Sequence, residues 1–167
     1  MTDIGVYDCF KEFCGALSGS GAFLVVQDPA GKPNPMTIGW ATLGVVWGEP
    51  ILTVLVRPSR HTHGLIEEAG RFSVNVPLQG LEGALELCGS RSGRDCDKIA
   101  ESGLRVEPGR VQGVSVLPDC DLFFECETVH KTRVIEKDLD TKVLQRYYAS
   151  GDFHTIYNGR VLHSYQR

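Results

Sequence analysis

The chain has 167 residues, of which 42% are hydrophobic and 23% charged, and this balance predicts one folded domain spanning residues 1–167. The formal net charge of −4 argues against a nucleic-acid partner, because binding to phosphate backbones requires a basic face. No stretch is long and apolar enough to predict a membrane span, and the N-terminus lacks the apolar core of a signal peptide, so we expect a cytoplasmic protein.

The first part of the chain is predicted to contain short helices and several strands. Hydrophobic periodicity and β-rich runs predict a helix over 5–18, strands over 22–27, 36–47 and 51–57, and a helix over 62–69 that ends at Gly70. The short link Gly48-Glu49-Pro50 predicts that the strands on either side of it pair antiparallel.

The second part of the chain continues with further strands and two more helical pieces. We predict a strand over 71–76, helices over 81–88 and 95–101, a long strand over 121–133, and strands over 147–157 and 160–165 joined by a turn at Asn158-Gly159. The total is six or seven strands with short helices between them. This pattern predicts a mainly β protein, a closed or split β-barrel rather than alternating βαβ units.

Several familiar motifs are absent. The chain has no G-x-G-x-x-G between a strand and a helix, no phosphate-binding P-loop and no G-x-S-x-G nucleophile elbow. The pair His61-x-His63 has no acidic or cysteine partner nearby, so we predict no metal site. The six cysteines include no C-x-x-C pair, and we interpret them as small buried thiols.

The strongest chemical signal follows the strand predicted over 51–57. Four donor side chains, Arg57, Ser59, Arg60 and Thr62, fall within six residues, and no acidic residue occurs between Ile51 and Glu67. Guanidinium groups, hydroxyls and a helix start are the donors that a phosphate dianion prefers, and Ser59 or Thr62 could cap the helix that follows. A solvated turn whose arginines pair with surface carboxylates is the alternative. Phosphate donors at the end of an apolar sheet suit a ligand with an anionic group at one end and a flat apolar ring at the other. Flavin mononucleotide, FMN, is such a ligand.

A second donor-rich loop lies between the two helical pieces predicted over 81–88 and 95–101. It contains Ser90, Arg91 and Ser92 between two glycines that allow the backbone to curl, and Arg91 could reach an anion. A solvated interhelical loop is equally compatible with this composition.

Other polar and aromatic side chains could contact the ring of such a ligand. The Asn34 amide can both donate and accept, which suits the pyrimidine edge of a flavin. Trp40 and Trp47 share one predicted strand and should face opposite sides of it. His130 and His154 could position a hydride donor or relay a proton, although a structural role is open for both.

Five blocks of sequence, in order, resemble the flavin reductase-like, FMN-binding split-barrel family, and its flavoredoxin branch in particular. The blocks are Asn34-x-Met36-Thr-x-x-Trp40, Val56-Arg-Pro-Ser-Arg-x-Thr62, Phe72-Ser-Val-Asn75-Val-Pro, Cys88-Gly-x-x-Ser92-Gly-Arg-Asp95 and Gly151-Asp-x-His154-Thr. The resemblance implies a six-stranded split β-barrel that forms a homodimer and binds FMN near the subunit interface.

The same resemblance implies roles for individual residues. The segment Arg57–Thr62 would hold the phosphate, and the strand Asn34–Trp40, which includes Met36 and Thr37, would line the isoalloxazine ring. Arg91 would contact the flavin or its phosphate, and His130 would lie on the flavin side of its strand.

The expected function is that of an FMN-binding oxidoreductase. Electrons would pass from NAD(P)H or a redox protein through bound FMN to a small-molecule acceptor. Two alternatives stay open at this point: an electron carrier of the flavoredoxin type without its own NAD(P)H oxidation, and a non-catalytic module that binds flavin or haem.

Overall fold

The computed structural model describes residues 1–167, the whole chain. Its strands and α-helices are β1 (Thr2–Asp3), α1 (Phe10–Ser18), β2 (Ala22–Gln27), β3 (Pro33–Ile38), β4 (Ala41–Val46), β5 (Glu49–Val56), α2 (His61–Ala69), β6 (Arg71–Val76), α3 (Glu82–Ser90), α4 (Lys98–Ser102), β7 (Glu107–Pro108), β8 (Ser115–Val116), β9 (Leu122–Arg133), α5 (Thr141–Tyr147) and β10 (Thr155–Gln166). A 3₁₀ turn, Glu136–Asp138, precedes α5. None of the helices has the length and apolar character needed to cross a bilayer.

One antiparallel sheet curls into a barrel. Its strand order is β3-β2-β6-β9-β10-β5-β4, and β1 adds to the end of β10. The first and last strands of this order, β3 and β4, are separated in the chain only by Gly39 and Trp40, so the two edges of the sheet are brought together. Counted as one bent strand, β3 and β4 give a barrel of six strands. The prediction of a mainly β, six-stranded split barrel with short helices is confirmed.

The barrel interior is a continuous apolar core. Inward-facing residues of β5 such as Leu52, Val54 and Val56 are fully buried, and α1 and α2 close the core with Phe13 and Ile66. A second apolar cluster lies on the outer face of β2 and β9, where Phe23 and Phe123 pack against α3 and β8. The strand β2 and the first part of β9, Leu122–Cys126, are therefore buried on both faces, while α2 and α3 contact β3.

The strand predicted over 36–47 is interrupted at Gly39 and Trp40. The first segment pairs with β2 and the second with β5, so the bend is the corner at which the barrel closes. Trp40 and Trp47 consequently do not share a strand, contrary to the prediction. Trp47 lies instead in the β4–β5 turn with a left-handed backbone, φ 56°.

The predicted turn at Asn158-Gly159 is wrong. The strand β10 runs unbroken from Thr155 to Gln166, with a shift in its register to β9 between these two residues. A Cβ atom at Gly159 would overlap the Phe72 ring and lie 2.8 Å from Cβ of Cys126. The glycine is therefore required by close packing inside the barrel and not by a turn.

The predicted strand over 147–157 is also wrong for residues 147–154, since Tyr147 ends a helix and β10 begins only at Thr155. Residues 141–147 form α5, whose N-terminus is capped by Asp140: its carboxylate accepts hydrogen bonds from the N–H groups of Lys142 and Val143. A second capping carboxylate, Asp97, begins α4 at Lys98, three residues later than predicted.

Candidate functional site

Two adjoining cavities open where the bend between β3 and β4 approaches the start of α2. One, the apolar cavity, has a volume of about 230 Å³ and is lined by Met36, Thr37, Ile38, Gly39, Trp40, Leu55, Arg57, Arg60, Tyr147 and His154. The other, the polar cavity, has a volume of about 300 Å³ and is lined by Met36, Ser59, Arg60, His61, Thr62, Ser90, Arg91, Ser92, Gly93, Arg94, Asp95 and Lys98. Met36 and Arg60 belong to both lists, so the cavities are contiguous.

The helix α2 begins at the polar cavity without a side-chain cap. Its N-cap residue is Arg60, and no side chain accepts from the first-turn N–H groups. The predicted capping by Ser59 or Thr62 is wrong: the Ser59 hydroxyl donates to the Asp152 carboxylate at 2.6 Å, and Thr62 Oγ1 accepts from Asn34 Nδ2 at 2.9 Å. An uncapped helix N-terminus at a cavity wall favours an anion there.

Lys98 is a buried cation without a carboxylate partner. Its side chain lines the polar cavity, the residue is only 5% exposed, and Nζ donates to the carbonyl oxygens of Pro35 and Cys88 at 3.0 and 2.9 Å. Burial lowers the pKa of the ammonium group. Because a buried charge without a counter-ion is costly, an anion in the cavity would stabilise it.

Three arginines add to the positive charge of the polar cavity. Arg60 donates to the Gly89 carbonyl at 3.0 Å and Arg94 to the Ser59 carbonyl at 3.1 Å, and neither they nor Arg91 or Lys98 form a salt bridge. Asp95 is the only acidic residue in the lining. Burial and the neighbouring cations Arg94 and Lys98 lower the pKa of His61. The polar cavity is thus positively charged, although the protein as a whole carries a net charge of −4.

The structure separates Arg57 from the other predicted phosphate ligands. Its guanidinium donates to the backbone carbonyls of Tyr147 and Asp152 at 2.8 and 2.9 Å and lies over the Tyr148 ring, 5.1 Å from its centroid. It lines the apolar cavity and not the polar one. Arg57 thus anchors the segment that follows α5 and lies apart from Ser59, Arg60 and Thr62.

Aromatic side chains form one wall of the apolar cavity. The Trp40 ring contacts Tyr147 edge-on with 5.0 Å between centroids, and it lies 5.1 Å from the His154 ring. Met36 and Leu55 supply aliphatic surface. Flat aromatic and aliphatic walls suit a planar apolar ring.

His154 is held in a defined environment at this wall. The residue is 7% exposed, and its Nδ1 atom is 2.8 Å from the Tyr148 hydroxyl. Burial, followed by the charge of Arg57, lowers the pKa of His154 to about 4. The imidazole is therefore neutral near pH 7.

The structure brings most of the predicted site residues together. The apolar cavity is lined by Met36, Thr37, Trp40, Arg57, Arg60 and His154, and the polar cavity by Met36, Ser59, Arg60, Thr62, Ser90, Arg91 and Ser92. Several hydroxyls have internal partners, since Thr37 donates to the Leu85 carbonyl and Ser90 to the Glu86 carbonyl.

Two predicted residues lie outside both cavities. The buried Asn34 amide donates to Thr62 Oγ1 and lines a separate cavity of about 60 Å³. His130 Nδ1 is 2.9 Å from Asn158 Nδ2, and the imidazole packs against Trp47. Within a single chain, His130 therefore does not line either cavity. No group of three or more His, Cys, Asp or Glu side chains is arranged to hold a metal ion.

The sequence does not assign Lys98, Arg94, Leu55 or Tyr147 to the site, whereas a ligand-lining or surface role is open for His61. Lys98 follows the capping residue Asp97, and a lysine in the first turn of a short helix has the pattern of a solvated position. The sequence pattern predicts Tyr147 at the start of a strand, whereas in the structure it ends α5. Asp140 at the helix start was the signal that could have revealed it.

Comparison with known proteins identifies the family of the chain. A family model described as flavin reductase like domain matches residues 16–167. An uncharacterized protein of Archaeoglobus fulgidus is 30% identical over 132 residues, which are 79% of this chain and 64% of that protein. The chain thus spans slightly less than two thirds of the length of that relative.

Two solved structures are similar in both fold and sequence. Flavoredoxin from Methanosarcina acetivorans is 27% identical, with a TM-score of 0.69 over 87% of this chain and 67% of that one. An FMN-binding protein from Thermus thermophilus, solved with bound p-hydroxybenzaldehyde, is 25% identical, with a TM-score of 0.69 over 87% of this chain and 70% of that one. The match of the family model over nearly the whole chain, on a barrel of the predicted kind, shows that the chain belongs to the flavin reductase-like domain family.

Proposed function

We propose that the chain binds FMN across the two cavities and acts as a flavin-dependent oxidoreductase. The observation that carries this proposal is the contact between an apolar cavity with aromatic walls and a polar cavity that contains the buried, carboxylate-free ammonium group of Lys98. A ligand that matches both must have a planar apolar part and an anionic tail. FMN has this construction, and the FMN-binding relative from Thermus thermophilus supports the choice.

The residues present fit such a ligand. Lys98, Arg60 and the N-terminus of α2 would hold the phosphate, with Arg91 and Arg94 at the outer side of the polar cavity. Met36, Leu55 and Trp40 would cover the ring and exclude water from it. Because His154 is neutral, it adds no charge next to the ring.

When bound, FMN supplies a ring that accepts a hydride or single electrons and passes them on. The chain contributes binding, orientation and the exclusion of water. We propose NAD(P)H or a redox protein as the electron donor and a small molecule as the acceptor. Homodimer formation and a cytoplasmic location remain predictions from the sequence. We also expect neither nucleic acid nor a membrane as a partner.

Titration of the flavin-free protein tests the cofactor. FMN, FAD and riboflavin are added separately, and binding is followed by the change in flavin fluorescence. We expect FMN to bind more tightly than riboflavin, because only FMN offers a phosphate to the polar cavity. Equal affinity for FMN and riboflavin, or no binding of any flavin, would contradict the proposal, and tighter binding of FAD would correct the cofactor.

Anaerobic addition of NADH and of NADPH to the FMN-loaded protein tests the reaction. Rapid bleaching of flavin absorbance is expected for a reductase. A protein that binds FMN but is bleached only by a reduced redox protein would be an electron carrier, a function that its similarity to a flavoredoxin favours as the second candidate.

A further inference from the structure

Tyr148 and His154 form a buried pair at the wall of the apolar cavity. The Tyr148 hydroxyl is 2.8 Å from His154 Nδ1, and both residues are less than a tenth exposed. His154 lines the cavity, and its second ring nitrogen, Nε2, has no hydrogen-bond partner in the protein and is not sealed from solvent. Nε2 is therefore the polar atom that His154 presents to the cavity.

The direction of the Tyr148–His154 hydrogen bond follows from the partners of the hydroxyl. Nδ1 of His154 is the only acceptor within reach of the Tyr148 hydroxyl, and burial raises the pKa of the tyrosine so that it keeps its proton. If Nδ1 carried a proton and donated, the tyrosine proton would be buried without an acceptor, which is unfavourable. The tyrosine therefore donates, Nδ1 accepts, and the single proton of the neutral imidazole resides on Nε2.

The charged groups around the pair favour this neutral form. Arg57 lies over the Tyr148 ring, and Arg57 and Arg60 both disfavour a second proton on His154. Asp152 acts in the opposite direction, but its carboxylate accepts hydrogen bonds from the N–H and hydroxyl of Ser59. Tyr148 is further fixed by stacking on Phe153, with 5.1 Å between ring centroids.

We propose that His154 offers its Nε2–H as a neutral hydrogen-bond donor to a carbonyl oxygen of a planar ligand in the apolar cavity, and that Tyr148 is the positioning residue that fixes this tautomer. The inference rests on the proposed function only for the identity of the ligand. The carbonyl belongs either to the flavin ring itself or to a small planar substrate that lies against the ring. In either case His154 recognises an oxygen acceptor and does not supply a proton as a charged acid.

Nitrogen-15 NMR of the histidine side chains tests the tautomer without any flavin chemistry. In the flavin-free and the FMN-loaded wild type, we expect His154 Nδ1 to show the shift of an unprotonated nitrogen and Nε2 that of a protonated one. Tyr148→Phe keeps the ring contacts with Phe153 and Arg57 but removes the hydroxyl, so both nitrogens should move towards the averaged shifts of two exchanging tautomers. A proton on Nδ1 in the wild type, or no change in Tyr148→Phe, would overturn the proposal.

Tyr7→Phe is the matched control for the NMR experiment. Tyr7 is exposed and donates to the Gly44 carbonyl, remote from both cavities. Its loss should leave the His154 shifts unchanged. Because the tautomer is read in the wild type, a failure of the protein to bind FMN would disprove the proposed function and still leave this inference to be decided.

Ligand binding identifies the source of the carbonyl. His154→Leu and His154→Gln are titrated with FMN and riboflavin, and their FMN-loaded forms with 4-hydroxyacetophenone and with 4-ethylphenol, which lacks the carbonyl. Loss of one neutral hydrogen bond should weaken binding about three- to tenfold in His154→Leu, and Gln should restore part of it. An equal loss for FMN and riboflavin assigns the flavin carbonyl. A loss confined to 4-hydroxyacetophenone assigns a substrate carbonyl, and no loss in either arm overturns the proposal.

Discussion

At the scale of single residues, buried ionisable groups determine how this protein responds to pH. His154 keeps a neutral ring because burial and Arg57 disfavour its charged form, and its pKa falls to about 4. In an unfolded chain the histidine pKa is about 6.5. The pKa of His61 is lowered as well, by burial and the cations of the polar cavity.

These lowered values predict that acid destabilises the fold. Above pH 6.5 His154 is neutral in both states, whereas between about pH 6.5 and 4 only the unfolded chain takes up the proton. As the pH is lowered through this window, the unfolding free energy should therefore decrease, and His154 should account for about 3 kcal/mol of the decrease. Urea unfolding at a series of pH values measures it. The slope should be smaller in His154→Gln and unchanged in His163→Gln, an exposed control; an unchanged slope in both would contradict the account.

A second prediction at this scale concerns Gly159. A methyl group there would overlap Phe72 and crowd Cβ of Cys126, so Gly159→Ala should destabilise the protein by about 1–3 kcal/mol. Gly44→Ala is the control, because nothing lies within 4 Å of a Cβ at that strand position. Urea denaturation compares the two variants. Equal stabilities of the two variants would show that β10 or its neighbours shift to accommodate the methyl group, so that close packing does not require a glycine at position 159.

At the scale of elements, the segment that follows α5 is held by the turn between β5 and α2. Arg57 donates to the carbonyls of Tyr147, Gly151 and Asp152, and Asp152 binds Ser59 in return. Gly151 and Asp152 both have left-handed backbones, with φ 78° and 56°. A positive φ is uncommon for residues other than glycine, and at Asp152 the hydrogen bonds to Arg57 and Ser59 support it.

Arg57→Met should loosen this segment without unfolding the barrel. Backbone amides between residues 141 and 154 should exchange with deuterium faster, because the carbonyl anchors are lost. Arg105→Met, which removes an exposed arginine paired with Asp119, should leave their exchange unchanged. Hydrogen exchange followed by mass spectrometry measures both. Unchanged exchange in Arg57→Met would show that α5 is held by other contacts.

The sequence predicts the elements well where periodicity is strong. The strands over 22–27 and 71–76 agree with β2 and β6 residue for residue, and the helix over 62–69 differs from α2 by one residue. The errors have tertiary causes. Asn158-Gly159 has the composition of a turn, but the glycine serves the packing of Phe72. The corner at Gly39 and Trp40 lies within an apolar run, and barrel closure decides where that run bends.

At the scale of the whole molecule, the candidate site joins segments that are distant in the chain. The end of β3, the β5–α2 turn, the loop between α3 and α4 and the end of α5 each supply part of a cavity wall. Both donor-rich loops were predicted, and the fold brings them together around the polar cavity. What could not be predicted is where each donor points. Arg57 donates to backbone carbonyls, and Asn34 donates to Thr62. Lys98 is buried, although its sequence context is that of a surface helix.

The central claim is that Lys98 balances the charge of an anionic flavin tail. Dissociation constants for FMN and riboflavin, measured for the wild type, Lys98→Met and the exposed control Lys11→Met, test it most directly. A charge-assisted contact contributes about 1.5–3 kcal/mol, so Lys98→Met should weaken FMN binding about 10- to 100-fold and leave riboflavin binding and Lys11→Met unaffected. If Lys98→Met weakens both flavins equally, or neither, the polar cavity is not the phosphate site and the account is contradicted.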